Sequence, residues 1–321
     1  ADNSWGPNRG RLYLVYASNN PSGNGNKSDI FCRYSTDQGS TWSNPVIVND
    51  DPNSQNNHNF FPAIWCDKES GRLFVKWYDS RLVPTSDSMD VYASYSDDGG
   101  LTFAPNQRIS NATFRIKLSG SGTAPAYQGD YDGISSVGNV SLPIWTDFRA
   151  NNYGSYVAYF PDYAMTVEPV NAQMYNANDS LTVAVNIPSV KLWSDKVKFT
   201  AEITPTPAQG AFIIQYPNGD SLLTFPSSLP VKIKTSGEVS TGNYTLRIEG
   251  SGPRGIPVHE RTVAIQVQQV IPVELTSFSA DVQANAVQLN WKTATETNNK
   301  GFEIQRKIHT GLIAEDWTAI G

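Results

Sequence analysis

Two five-residue stretches set an aromatic, a carboxylate and a guanidinium at one spacing: Trp77-Tyr78-Asp79-Ser80-Arg81 and Trp145-Thr146-Asp147-Phe148-Arg149. An arginine fork takes a carboxylate with two parallel bonds, and an aromatic face stacks on a sugar ring. W-x-D-x-R therefore suits a sugar or an acidic ligand. The same spacing permits a plainer use, in which Asp79 pairs with Arg81, and Asp147 with Arg149, to cap loops. A feature that recurs along a chain favours this scaffold use. Two further stretches add candidates: HNFFP carries His58, and GDYDG carries Asp130 and Tyr131. His58 has its own alternative, as the anchor of its loop.

A second repeated pattern is YSTDQGSTW, Tyr34 to Trp42, which returns as YSDDGGLTF, Tyr95 to Phe103. Each residue in it has a local structural task. In a tight turn, backbone N–H groups point inward, and the carboxylates of Asp37 and Asp98 accept them through charge-assisted bonds. Ser35 and Ser96 offer a hydroxyl across the turn. Gly39 and Gly100 supply a positive φ that a β-carbon opposes. Trp42 and Phe103 are expected to bury an apolar face against a neighbouring strand.

The elements that must position these residues are strands. Hydrophobic residues make up 39% of the 321 and charged residues only 17%, with 15 Tyr, 24 Gly and 20 Pro, and runs of helix formers are missing. That balance predicts an all-β protein rich in turns. Short β-rich runs bounded by Gly, Pro, Asn or Asp come in sets, among them RLYLVYAS, DIFCRYS, RLFVKWYD, MDVYASYS and SLPIWTD. The sets recur about every fifty to sixty residues, a period expected of propeller blades with roughly four strands each. After Pro161 the texture changes. About seven alternating runs, including SLTVAVNI, VKFTAEI and NYTLRIEG, match the count of an immunoglobulin-like sandwich. Tyr244, Leu246 and Ile248 fall on one face of the last of these, and Thr245, Arg247 and Glu249 on the other. Three more strand runs follow before Gly321, too few to close another sandwich. The expected domains are 1–163, 164–268 and 269–321.

S-x-D-x-G-x-[ST]-[WF], present at Ser35, Asp37, Gly39, Thr41 and Trp42 and again at Ser96, Asp98, Gly100, Thr102 and Phe103, resembles the Asp-box, or BNR repeat, of sialidase-like β-propellers. The middle region resembles Ig-like modules of bacterial secreted proteins. The stretch PVELTSFSADVQANAVQLNWKTATETNNKGFEIQR resembles the fibronectin-III-like module that often precedes a C-terminal sorting domain in bacterial surface proteins. Together the resemblances touch most of the chain. They imply a partial Asp-box propeller of about three blades, an Ig-like sandwich and a truncated fibronectin-III-like domain, in a secreted or cell-surface bacterial protein. They also place the Asp-box turns on the face opposite the ligand-binding loops, and the W-x-D-x-R and HNFFP/GDYDG loops on the functional face.

The resemblance makes demands that this sequence meets only in part. A sialidase uses an arginine triad, a tyrosine nucleophile backed by a glutamate, and an aspartate acid/base. No R-I-P-type stretch is present, Arg81 and Arg149 supply two arginines at most, and Tyr127 or Tyr131 qualifies as nucleophile only by position. From residue 1 to 160 the only glutamate is Glu69, in a first-to-second-strand turn on the Asp-box side. A tyrosine without a base stays near its ordinary pKa of about 10 and is poorly activated. The expectation is a non-catalytic segment that binds glycans or a surface. An exo-α-sialidase whose catalytic residues lie mostly in other blades, and a structural adhesin or stalk, are the alternatives. The missing blades and the short last domain lead to the expectation of an internal fragment.

Composition bounds the partners. A net charge of −6, from 24 Lys and Arg against 30 Asp and Glu, opposes a nucleic-acid partner, which needs clustered cations. No run of about 18 apolar residues predicts a membrane-spanning helix. The two cysteines, Cys32 and Cys66, have no histidine beside them, so no zinc or thiol-nucleophile site is expected, and whether they pair stays open. The Asn- and Gly-rich loop Asn19–Asp29 lacks EF-hand spacing and reads as solvated. No metal or cofactor is expected.

Overall fold

A computed structural model describes residues 1–19, 27–52, 56–116, 132–269, 275–284, 286–294, 301–307 and 318–319. The protein is all-β, with no α-helix among the described residues. The first sheet is β1 (Leu12–Ser18), β2 (Asp29–Ser35) and β3 (Val46–Ile47), in that order. The second contains β4 (Asn59–Cys66), β5 (Leu73–Asp79), β6 (Ser88–Ser96) and β7 (Gln107–Arg108), with β8 (Phe114–Arg115) paired to β6. The third contains β9 (Gly133–Val137), β10 (Val140–Asp147) and β11 (Gly154–Val157). All pairings in these three sheets are antiparallel.

The three sheets repeat one register. Leu12 faces Ser35 in the first sheet as Leu73 faces Ser96 in the second. The cross-strand aromatic pair Tyr16–Phe31 then corresponds to Trp77–Tyr92, and Trp145–Tyr156 occupies the same place in the third sheet. Each pair is stacked, with ring centroids 5.7, 6.5 and 6.4 Å apart. A second pairing repeats at the other end of the strands. Arg11 lies over Tyr34 at 4.1 Å and Arg72 over Tyr95 at 3.9 Å. A flat cation over a π-face is favourable, and its recurrence at one register marks a true structural repeat.

The sheets pack face to face in chain order. Ile30, Cys32 and Val48 of the first meet Val75, Trp77 and Tyr92 of the second. Phe74, Tyr78 and Val91 on the opposite face of the second meet Ile134 and Trp145 of the third. The second sheet is thus covered on both sides, which is why β5 is buried at every position and reads as an almost unbroken apolar run. The exception is Lys76, whose ammonium pairs with Asp132 inside this layer.

Beyond these sheets come β12 (Asp162–Tyr163), β13 (Thr166–Glu168), β14 (Asn171–Tyr175), β15 (Ser180–Ile187), β16 (Val190–Lys191), β17 (Val197–Thr204), β18 (Ala211–Gln215), β19 (Ser221–Leu222), β20 (Ser227–Ser236), β21 (Gly242–Ser251) and β22 (Val258–Gln268). β12 pairs with β16. The other strands form a four-stranded sheet, β13-β15-β20-β18, and a five-stranded sheet, β14-β22-β21-β17-β19. Both sheets feed one apolar cluster, with Val183, Val185 and Val231 from the first and Phe199, Leu246 and Val263 from the second. In β21 the alternation holds: Tyr244, Leu246 and Ile248 are buried. Arg247 on the other face forms ion pairs with Glu202, Glu249 and Glu260. A last hairpin, β23 (Leu275–Gln283) and β24 (Ala286–Thr293), and a small pair, β25 (Gln305–Arg306) and β26 (Thr318–Ala319), complete the described strands.

Candidate functional site

Strand direction sets which loops share an end of a sheet. The W-x-D-x-R stretch closes β5, where Asp79 is opposite Asn59 of β4 and Asp90 of β6. The Asp-box stretch Ser96–Phe103 begins at the far end of β6, beside the start of β5. A seven-residue strand separates them by about 20 Å. The β4–β5 turn lies on the Asp-box side, where Arg72 reaches Asp97 at 2.7 Å. His58, Phe60 and Phe61 lie on the W-x-D-x-R side.

The two W-x-D-x-R stretches are built alike. The Trp77 indole N–H donates to Asp79 Oδ2 at 3.0 Å, and the Arg81 backbone N–H to Oδ1 at 2.8 Å. Arg81 Nε donates to the same carboxylate at 2.9 Å. The rest of the guanidinium goes to Asp50 at 2.7 Å and Asn106 at 3.0 Å, and its face covers Tyr92 at 4.2 Å. In the third sheet Trp145 donates to Asp147 at 3.2 Å, and the Arg149 backbone N–H at 3.1 Å. Arg149 Nε and Nη2 take the same carboxylate at 2.8 and 2.5 Å, Nη1 takes Asn111, and the guanidinium covers Tyr156 at 3.9 Å. Both carboxylates are fully buried. Burial pushes the Asp79 carboxyl upward against the pull of Arg81. The geometry is that of the scaffold use: each arginine spends its fork inside the protein. A buried polar network extends the anchor, in which Asn49 Nδ2 donates to Asp29 and Asp51, and Asn57 to Asp51.

The Asp-box residues form the expected turn staples. Ser35 Oγ donates to Asp37 at 2.7 Å and accepts the Gly39 N–H at 2.8 Å. Asp37 accepts the Thr41 N–H at 2.9 Å and its hydroxyl at 2.6 Å. Ser96, Asp98, Gly100 and Thr102 repeat these four bonds within 0.1 Å. Gly39 and Gly100 have φ of 91° and 84°. The Thr41 hydroxyl and its N–H, with Ser35, hold the Asp37 carboxyl down at about 2. The two aromatics differ. Phe103 packs against the cluster between the first and second sheets, whereas Trp42 remains 38% exposed. The expected burial of Trp42 is not met, because its partner surface would lie beyond the outer face of the first sheet.

The remaining candidates separate. His58 anchors its loop: its N–H donates to Ser80 Oγ at 2.7 Å, and its Nε2 lies 2.5 Å from Lys27 Nζ. Burial, and then the Lys27 charge, lower its pKa. Asp130 and Tyr131, with Tyr127, lie outside the described residues. Glu69 pairs with Arg254. Cys32 and Cys66 are free thiols, both pushed up to about 12, chiefly by burial. Among the described residues no helix is long and apolar enough to cross a membrane, and no group of three metal-ligating side chains occurs.

Sequence reasoning passed over two features at this end of the sheet. Phe61 has a φ of 49° and sits in a register shift of β4 between Phe60 and Ala63. Its ring is 41% exposed and meets Phe60 edge-on at 4.9 Å and Tyr78 at 5.9 Å. Phe60 and Tyr78 stack parallel behind it at 5.8 Å. Tyr78 donates to the Thr146 carbonyl at 2.7 Å, tying this aromatic group to the third sheet. The second feature is Lys76, fully buried beneath Tyr78 and paired with Asp132. Burial lowers its pKa to about 8 despite the carboxylate. A lysine inside LFVKWYD was the available signal for the second. For Phe61, HNFFP gave only aromatic density.

No family model matches the chain, and no curated protein matches it. Among solved structures it is similar to WR4, an MSP family member of C. elegans, at 9% identity and a TM-score of 0.26, over 32% of this chain and 97% of that one. The E. coli chaperone DraB gives 12% identity and a TM-score of 0.27, over 40% and 68%. The secreted serine protease VesC of Vibrio cholerae gives 7% and 0.26, over 86% and 63%.

Proposed function

We propose that the chain is a non-catalytic, glycan- or surface-binding segment of a secreted or surface-attached bacterial protein. In this reading the first three sheets are blades of a sialidase-like Asp-box propeller. The two facing sheets after them are an Ig-like spacer, and β23–β26 begin a fibronectin-III-like module. The repeated register, the paired Asp-box turns and the order of sheet packing support the propeller. The alternation of β15, β20 and β21 around one core supports the sandwich.

The observation that carries binding is Phe61. A phenylalanine at positive φ is strained, typically by about 1–3 kcal/mol, yet here it turns a large apolar ring toward solvent. Phe60 and Tyr78 back it and hold its orientation. An electron-rich ring face fixed in this way offers the C–H side of a sugar a ready surface. The ligand contact therefore moves from Arg81 and Arg149, whose forks are occupied, to the aromatic group at the same end of the second sheet. A sialidase-type arrangement draws no support from Glu69, whose carboxylate is engaged by Arg254.

Binding to a glycan array should fall at least tenfold in Phe61→Ala, with the thermal midpoint little changed, since alanine keeps the Cβ that strains this φ and removes only a partly exposed ring. Full retention of binding in that variant would sink the site. Absence of binding by the unaltered chain to any immobilised glycan would sink the function.

A further inference from the structure

A cavity of about 300 Å³ lies where the third sheet meets the two facing sheets. Four segments wall it. The β4–β5 turn brings Glu69 and Ser70, and the β9–β10 turn brings Gly138. The stretch between β16 and β17 brings Trp193 and Asp195, and the β21–β22 turn brings Arg254. These walls are tied to one another. Ser70 Oγ lies 3.1 Å from both Asp67 Oδ1 and the Gly138 carbonyl, and Arg254 pairs with Glu69. Arg254 also rests on the β9–β10 turn, where a β-carbon added at Gly138 would come within 3.3 Å of its Cζ. Junctions between packed bodies are a preferred place for ligand sites, and this volume falls at the small end of their usual range.

We infer that this cavity binds a neutral sugar residue. Two polar groups in its walls lack partners. The indole N–H of Trp193 has no acceptor, although Trp193 is only 4% exposed. The half-buried Asp195 makes no hydrogen bond or ion pair through its carboxylate among the described residues. An indole only donates and a carboxylate only accepts. A hydroxyl does both, so adjacent hydroxyls on one sugar ring satisfy the two groups together. Val140, Ile256 and the Trp193 ring, which belong to the neighbouring apolar cluster, give the cavity a side for the C–H face of such a ring. Charge selects against an acidic sugar. Glu69 and Arg254 neutralise each other, the Asp195 charge remains, and a ligand carboxylate beside it is repelled. The class of ligand rests on the glycan-binding reading above, but the site does not, because the β4–β5 turn lies at the opposite end of β4 from Phe61.

A nitrogen-15 spectrum of the whole chain tests this, with the indole N–H signal of Trp193 assigned through its own backbone. Neutral hexoses and N-acetylhexosamines are added one at a time. At least one of them should move that signal in a saturable way, while hexuronic acids leave it in place. Asp195→Ala, at a partly exposed position outside the core, should weaken the binding about tenfold or more with the thermal midpoint nearly unchanged. Phe61→Ala should bind the same free sugar as the unaltered chain does. A loss of array binding in Phe61→Ala with this titration intact therefore separates the two sites, and either can fail without the other. A Trp193 signal that no neutral sugar moves at any attainable concentration overturns the inference. So does undiminished affinity in Asp195→Ala, or a hexuronic acid that binds more tightly than the neutral sugars.

Discussion

Asp37 shows how much one side chain can settle by itself. Four bonds within seven residues close the turn from Ser35 to Thr41, so the motif is satisfied by its own residues. Its carboxyl is held at about 2, first by the Thr41 hydroxyl, below the unfolded value of about 3.9. A carboxyl lowered by folding stabilises the native state in full above pH ~4 and loses that contribution as the pH falls through ~2. A carbon-13 titration of the native protein should give Asp37 a midpoint near 2, and the difference in thermal midpoint from Asp37→Asn should shrink over the same window. A midpoint near 4 would show that the turn is open in solution. Lys76 is the opposite case at this scale. Its partner, Asp132, is 56 positions away, and nothing in LFVKWYD names it.

At the scale of the element, the W-x-D-x-R stretch works as a strand terminator. Asp79 gathers an indole N–H, a backbone N–H and a guanidinium at the end of β5. Arg81 carries the bond network on to Asp50 and Asn106. Removing one partner of a buried ion pair leaves an uncompensated charge, at a cost of about 3–5 kcal/mol. Arg81→Ala should therefore lower the urea midpoint sharply. Arg115→Ala, which breaks the exposed pair with Asp87, should cost under about 1 kcal/mol. Equal small losses in both variants would contradict the structural assignment of Arg81. The stretch was legible as a repeated unit. The pairing of Asp79 with Arg81 was legible too, but Tyr92, Asp50 and Asn106 were not, because they join it only through strand pairing and sheet packing.

At the scale of the whole molecule, the two facing sheets own their core. Every buried member of their apolar cluster except Val140 lies between Tyr163 and Val267, and Tyr163 closes one end through its hydroxyl bond to the Gly250 carbonyl at 2.6 Å. A chain of residues 162–268 should accordingly unfold in one cooperative thermal transition and keep its near-ultraviolet aromatic signal. Loss of that signal with strand content retained would show that the core needs the preceding sheets. Those sheets behave differently, since each leans on the next, and Leu14 and Ile144 on their outermost faces stay partly exposed.

What the sequence by itself determined is what short-range chemistry can enforce. Strand periodicity, turn glycines at positive φ and the Ser–Asp–Thr bonds of the Asp-box all act over a few residues, so the all-β character and the turn staples were readable at once. Only the tertiary structure decided which groups remain free for a ligand. Arg81 and Arg149 stood in the sequence as ligand candidates beside the favoured pairing with Asp79 and Asp147, and the structure adds contacts across strands and sheets that consume the rest of each fork. Phe61 carried no signal beyond the aromatic density of HNFFP, and a register shift in β4 leaves it partly exposed. The reason is physical: a side chain's availability depends on who else needs it, and those neighbours arrive only when distant segments pack.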